Sequence, residues 1–264
     1  ADNSGHGNDG VISGAGWTTG KVNSGLSFDG IDDTVTVTDN WTLDSPKGTW
    51  CAWVKTDGNW GSDGGTNGDG KGSAVVMTRH NLDASRWGLN IFIQNTGEVG
   101  LQCKNDHTLL TVKSTSTILD NQWHHVAGIY AHAAGGALTV YVDGVPEASD
   151  NVSEDWSFNN QQVIIADSAD DFWEEYAGSV DEVQVYNVAL TAEEITYLYN
   201  NPGKAKQAGD LNSDGNVDEV DLEAVANQWL GAGQGPNADI SPAPDGDGIV
   251  NLLDFAVLAE NWLQ

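Results

Sequence analysis

Asp210-Leu-Asn212-Ser-Asp214-Gly215-Asn216-Val217-Asp218-Glu-Val-Asp221 decides how the C-terminal part of this chain folds. Oxygen-bearing side chains stand at positions 1, 3, 5, 9 and 12 of the twelve, with Gly215 at position 6 and Val217 at position 8. Hard oxygens at this spacing suit a hard cation, and glycine permits the sharp turn, so the stretch reads as a calcium loop of EF-hand type. The pattern returns 33 residues later as Asp247-Gly-Ile249-Val250-Asn251-Leu-Leu-Asp254. The segments that follow also match: Asp221-Leu-Glu-Ala-Val-Ala-Asn-Gln-Trp229-Leu230 against Asp254-Phe-Ala-Val-Leu-Ala-Glu-Asn-Trp262-Leu263. A duplicated loop and helix of this kind serves attachment more readily than catalysis.

Upstream of this repeat the character changes. Residues 202–209 hold Pro, Gly and Lys and read as a linker between residues 1–201 and 210–264. Thr191-Ala-Glu-Glu194 just before it is a capping box that opens one short helix. The first 200 residues alternate short apolar and polar runs between Gly- and Asn-rich turns, which predicts eleven strands between residues 26 and 187 and a sandwich or jelly roll. Asp143-Gly144 and Asn95-Thr-Gly97 are expected hairpin turns, and 57–72 is an expected loop. Cys51 and Cys103 both fall in strand-like runs, and the sequence leaves open whether they bridge.

Charge narrows the partners. The 264 residues carry 10 Lys plus Arg against 39 Asp plus Glu, a net charge of -29, so nucleic acid is excluded as a partner by repulsion. No apolar run reaches the length of a membrane span, so membrane insertion is not expected. The chain opens at Ala1 rather than Met, as a mature secreted fragment or a trimmed product would.

Several segments together resemble a LamG-like (concanavalin A-like) jelly-roll domain. They are Asn3-Ser-Gly-His-Gly-Asn-Asp-Gly10, Gly20-Lys-Val-Asn-Ser-Gly-Leu-Ser-Phe-Asp29, Trp50-Cys-Ala-Trp53, Gln122-Trp123-His-His125, Leu138-Thr-Val-Tyr-Val-Asp143-Gly144 and Gly178-Ser-Val-Asp181-Glu-Val-Gln-Val-Tyr186. The resemblance implies two curved sheets and one structural calcium, with Asp181 the expected ligand and Asn3 and Asp29 its companions. It also implies a strand upstream of Asn3 that this sequence lacks, which would leave a sheet edge open to other strands.

The repeat resembles a type I dockerin, the module that docks proteins onto cohesin-bearing scaffolds. That likeness implies two Ca2+ ions. In the first loop it assigns Asp210, Asn212, Asp214, Asp218 and Asp221 through side chains and Asn216 through its carbonyl. In the second, counting back twelve from Asp254 places Ala243 at position 1, which has no side-chain oxygen. Asp239, displaced by an insertion holding Pro242 and Pro244, is the replacement, followed by Asp245, Asp247, Asn251 and Asp254, with Ile249 through its carbonyl. Partner recognition maps to Glu219-Val220 and Leu252-Leu253, which are unlike each other, so symmetric docking is not expected. Trp229, Leu230, Trp262 and Leu263 are expected to fill the core between the helices, because so small a unit needs its large apolar groups.

No paired-carboxylate, nucleophile-elbow or metalloprotease pattern occurs in residues 1–200, so no catalytic residue is assigned. His124 and His125 read as structural. Of eleven tryptophans, Trp17, Trp53 and Trp123 lie in expected core segments, whereas Trp60, Trp87, Trp156 and Trp173 lie in loops or at strand starts rich in Asp and Asn. With Asp170, Asp171 and Tyr176 they form the expected sugar-stacking set. The sequence therefore points to a secreted carbohydrate-binding module tethered by a calcium-dependent dockerin-like tail to a scaffold or polysaccharide-degrading assembly. The alternatives are a structural protein that assembles with neighbouring copies of itself through open strands and docking tails, and a glycosidase or lyase with a dispersed site.

Overall fold

The structure, a computed structural model, describes residues 2–38, 43, 45–60, 72–80, 88–104, 109–131, 136–152, 161–168, 173–212, 214–230, 238–241 and 249–262. It divides into two compact units, Ala1–Leu190 and Thr191–Gln264. The described residues of the first form β1 (Gly10–Ser13), β2 (Gly16–Thr19), β3 (Ser24–Asp29), β4 (Thr34–Val37), β5 (Lys47–Lys55), β6 (Ala74–His80), β7 (Gly88–Ile93) and β8 (Glu98–Lys104). They continue through β9 (Leu109–Thr117), β10 (His124–Ala131), β11 (Gly136–Val142), β12 (Val145–Val152), β13 (Val163–Ile165), β14 (Glu174–Glu175) and β15 (Ala177–Tyr186).

Two sheets result. One runs β1-β4-β13-β6-β7-β8-β9, with β14 parallel to β6; the other runs β12-β11-β10-β5-β15-β3-β2. All other pairings are antiparallel. Side chains alternate across a strand, so each sheet contributes every second residue to the shared core. On β5 the inward set is Trp50, Ala52 and Val54; facing residues include Leu89, Ile91, Leu101 and Val163. This pattern separates the cysteines. Cys103 lies in the core between the sheets, whereas Cys51 sits on the outer face of β5, its thiol 3.8 Å from Gln184 Oε1. Both thiols are free and buried, and burial pushes Cys51 up to about 12.

Two turns follow from residue type. Asp143 (φ 50°) and Gly144 (φ 78°) both adopt the left-handed region, which joins β11 to β12 as a type I′ turn. Near that turn the two sheets are fastened at their edges. Glu147 of β12 accepts hydrogen bonds from the Thr115 and Ser116 backbone N–H groups (both 2.7 Å) and from the Thr115 hydroxyl (2.8 Å) of β9.

The second unit holds α1 (Ala192–Asn200), α2 (Glu219–Gln228) and α3 (Leu252–Glu260). All three begin with a capping box: Thr191 with Glu194, Asp218 with Asp221, and Asn251 with Asp254. The core between the duplicated halves consists of Val217, Val225, Ala238, Val250 and Leu258. Trp262 leans on it, but Trp229 and Leu230 do not fill it as expected, being 41% and 72% exposed. The backbone explains this: Trp229 caps α2 in an extended conformation and Leu230 has φ 58°, so both leave the helical stripe that faces inward. Leu263 lies outside the described residues.

Candidate functional site

The two loops of the second unit are built around one buried aspartate each. Asp221 is fully buried; its Oδ1 accepts from the N–H of Leu211 (2.6 Å) and Asn212 (3.3 Å), and its Oδ2 from the N–H of Asp218 (2.9 Å). Asp254 repeats this arrangement: Oδ1 accepts from Ile240 (2.6 Å) and Ser241 (2.8 Å), and Oδ2 from Asn251 (2.7 Å). Asp239-Ile240-Ser241 therefore takes the place of Asp210-Leu211-Asn212, and the inserted residues fall after it. Asp210 and Asp239 are likewise both buried. The correspondence brings in a residue that the spacing alone missed: Ser241 stands where Asn212 stands.

The donor set fits a divalent cation. In the first loop Asp210 accepts from the N–H of Asp214 (3.1 Å) and Gly215 (2.9 Å), while Asp214 accepts from Asn212 Nδ2 (2.8 Å) and from the Asn216 N–H (2.9 Å). Asp218 caps α2 by accepting from the Val220 N–H at 2.9 Å. Burial, aided by the charges of Asp221 and Asp214, holds Asp210 above the usual carboxylate range despite its two backbone donors. From Asp210 onward there are eleven acidic residues and no Lys, Arg or His. Gly215 (φ 89°) makes the turn, and a side chain there would collide with the Tyr197 ring. In the second loop Asn251 caps α3 and its Nδ2 donates to the Ile249 carbonyl (2.9 Å). Asp245 and Asp247 lie outside the described residues.

Beside the loops the expected docking residues are presented outward. Glu219 is exposed, and Val220, Leu252 and Leu253 are 49%, 70% and 54% exposed at the first turns of α2 and α3. Between these helices an open apolar depression of about 480 Å³ is lined by Leu222, Val225, Ala226, Trp229, Leu252 and Phe255.

In the first unit the three residues expected to share a calcium are not brought together. Asp29 pairs with Ala177, four residues along β15 from Asp181, a separation of roughly 13 Å. Oxygens around one ion lie far closer. Asp181 instead secures the loop before β3, its Oδ2 accepting from the Val22 N–H at 2.9 Å. Asn3 is exposed in the N-terminal loop. Asp29 gathers with Asp32 and Asp33, whose carboxylate oxygens lie within 4.8 Å of one another.

The aromatic set also divides. Tyr176 is fully buried, with its hydroxyl donating to the carbonyls of Lys55 (3.1 Å) and Ser179 (3.2 Å). Trp173 is 8% exposed and packs on Phe92 with ring centroids 4.8 Å apart. Trp60 is partly buried, its indole N–H donating to the Gly72 carbonyl at 2.9 Å. Tyr176 and Trp173 therefore present no open ring face, whereas Trp60 stays partly exposed. Trp87, Trp156, Asp170 and Asp171 lie outside the described residues. Trp17, expected in the core, is 71% exposed on the edge strand β2, because its pairing with Leu26 places it at the sheet margin. Trp53 is buried on the outer face of β5, tilted against His125 (5.5 Å) with the Lys21 ammonium 3.7 Å above its ring. His124 bridges Asp143 (2.8 Å) and Asp120 (3.1 Å).

Comparison with known proteins agrees with this architecture. Residues 29–196 match the concanavalin A-like lectin/glucanases superfamily, to which the chain belongs, and residues 208–263 match the dockerin type I domain. Domain 4 of AbnA, an extracellular arabinanase from Geobacillus stearothermophilus solved with arabinotriose, superposes with TM-score 0.57 at 18% identity, over 72% of this chain and 87% of that one. The sialidase module CBM40 of Ruminococcus gnavus, solved with α2,3 sialyllactose, gives 0.50 at 13% identity, over 66% and 96%. The binding domain of Paraclostridial Mosquitocidal Protein 1 gives 0.57 at 17% identity over 75% of this chain, which spans about half (48%) of that domain. At these identities the likeness shows the fold alone. No match is found among curated proteins. Type I dockerins typically bind calcium and dock onto cohesins, and the sandwich resembles carbohydrate-binding domains.

Proposed function

We propose that this chain is a secreted, non-catalytic carbohydrate-binding module held by a calcium-dependent dockerin to a cohesin-bearing scaffold or polysaccharide-degrading assembly. The observation that carries the reading is the matched geometry around Asp221 and Asp254, in which two separate loops, one with an insertion, present the same buried carboxylate cage. Calcium would be held by Asp210, Asn212, Asp214, Asp218, Asp221 and the Asn216 carbonyl in one loop. Asp239, Ser241, Asn251, Asp254 and the Ile249 carbonyl would hold it in the other, together with Asp245 and Asp247. When bound, the ion would offset part of the negative charge of the eleven acidic residues from Asp210 onward. Glu219, Val220, Leu252 and Leu253 then stand at the starts of two fixed helices, where a partner can read them. Calorimetry with a cohesin panel tests the tether: binding with Ca2+ and none with a chelator supports it, and undiminished binding in chelator rejects it. A glycan array in Ca2+ tests the other half, and silence toward all polysaccharides would reject it.

Self-assembly is disfavoured by the net charge of -29. His124 is held between two aspartates and His125 is buried, so both serve the scaffold.

A further inference from the structure

A side chain from outside the duplicated loops rests on the first of them. Tyr197, half-buried on α1, lays its phenol against Gly215, the turn residue at position 6. Gly215 has φ 89°, and a Cβ there would strike both the phenol oxygen and the ring edge, so the ring occupies the space that the absent side chain leaves. Asp210 and Asp214, two of the residues proposed to hold the ion, lie near enough for their charges to act on the same phenol. The chain between helix and loop is tied down as well. Glu194 closes the capping box of α1 with one carboxylate oxygen and pairs with Lys206 through the other at 2.5 Å. Three residues on, Gly209 is buried with φ 95°, and a Cβ there would press on Leu258 Cα (3.1 Å) and Val217 Cγ1 (3.3 Å).

The second loop has no such residue in its sequence. Tyr197 lies 13 residues before Asp210; counting the same 13 back from Asp239 reaches Ala226 on α2, and no tyrosine occurs after Tyr199. The difference matters because a calcium loop gathers several carboxylates around one ion against their mutual repulsion. A turn held in place beforehand loses less conformational freedom when the ion arrives, and groups that orient the ligands raise affinity.

We propose that Tyr197 is a positioning residue for the calcium ion of the first loop, pressing the Gly215 turn into its binding geometry, so that calcium affinity at the first loop, and not at the second, depends on α1. The inference rests on the calcium reading above and adds to it a residue outside either loop. It makes α1 the support of the first loop, although the match to the concanavalin A-like superfamily runs on to residue 196.

Calcium calorimetry on the full chain tests it with one loop silenced at a time, Asp247→Ala leaving the first and Asp214→Ala the second. With the first loop alone, Tyr197→Ala should weaken calcium binding about tenfold, as loss of a group that orients ligands does, and Tyr197→Phe, which keeps the ring, should stay within about twofold of Tyr197 itself. With the second loop alone, neither substitution should change binding. Equal weakening at both loops would reduce Tyr197 to a support of the fold and overturn the proposal, as would unchanged binding at the first. Terbium in place of calcium gives a readout that stands even where Tyr197→Ala does not fold. Excited through tyrosine, the ion in the first loop should lose most of its emission in Tyr197→Phe, and undiminished emission overturns the contact. No calcium uptake by the unsubstituted protein overturns the calcium reading itself.

Discussion

Asp221 and Asp254 each act twice. Each is the twelfth loop residue and also the residue that closes a capping box, so the carboxylate proposed to hold the ion starts the helix as well. Asp221→Ala should therefore abolish calcium uptake at the first loop and cost about 1 kcal/mol of helix capping besides; calorimetry should count one ion fewer, and circular dichroism should show lost helix. The adjacent histidines make a second residue-level prediction. Burial, the largest influence, outweighs the pull of Asp143 and holds His125 down at about 4, so it stays neutral in the fold. Stability is then full above the unfolded value near 6.5 and falls as pH drops toward 4, by up to about 3 kcal/mol. His124 behaves oppositely. Burial opposes its charge, but Asp143 and Asp120 outweigh burial and raise it, so its contribution is full below about 6.5 and fades as pH rises through its folded value. Melting curves of His125→Gln should lose the acid decline, whereas those of His124→Gln should lose stability on the acid side.

At the scale of elements, the capping box of α1, the Asp143-Gly144 turn and the central strands were all legible, because each has a local cause in backbone conformation or side-chain alternation. Four strands were not. β1, β2 and β12 lie at sheet edges, where burial on one side at most erases the apolar pattern, and β12 carries Pro146, tolerated only because an edge strand need not donate outward. β14, two residues long, exists only through its pairing with β6. The cage of the first loop was readable from spacing. The second was readable only in part, since an insertion breaks the count and only the shared acceptor Asp254 shows that Ser241 belongs. Trp173 was illegible for a similar reason: polar neighbours in sequence do not reveal that its ring packs on Phe92. Fastening at the edges can be tested directly. Glu147→Ala leaves the Thr115 and Ser116 N–H groups without their shared acceptor and should cost about 1–2 kcal/mol in urea unfolding, with little change in calcium uptake.

At the scale of the molecule, charge is divided unevenly. All ten Lys and Arg lie at or before Lys206, while the two helices that line the depression, α2 and α3, carry Glu219, Glu223 and Glu260 and no basic residue. A cohesin that fits it should pair an apolar centre with a basic rim, so complex formation should weaken as salt rises from 0.05 to 0.5 M, about tenfold or more in on-rate. A salt-independent rate would argue for an apolar contact alone. The same imbalance has a proteolytic consequence. Trypsin cuts after Lys and Arg, and Lys206, paired with Glu194 at 2.5 Å, is the last such residue in the chain. Digestion of the calcium-loaded protein should therefore release residues 207–264 as one intact fragment, and a single scission beside Lys206 would part the β-sandwich from the duplicated loops.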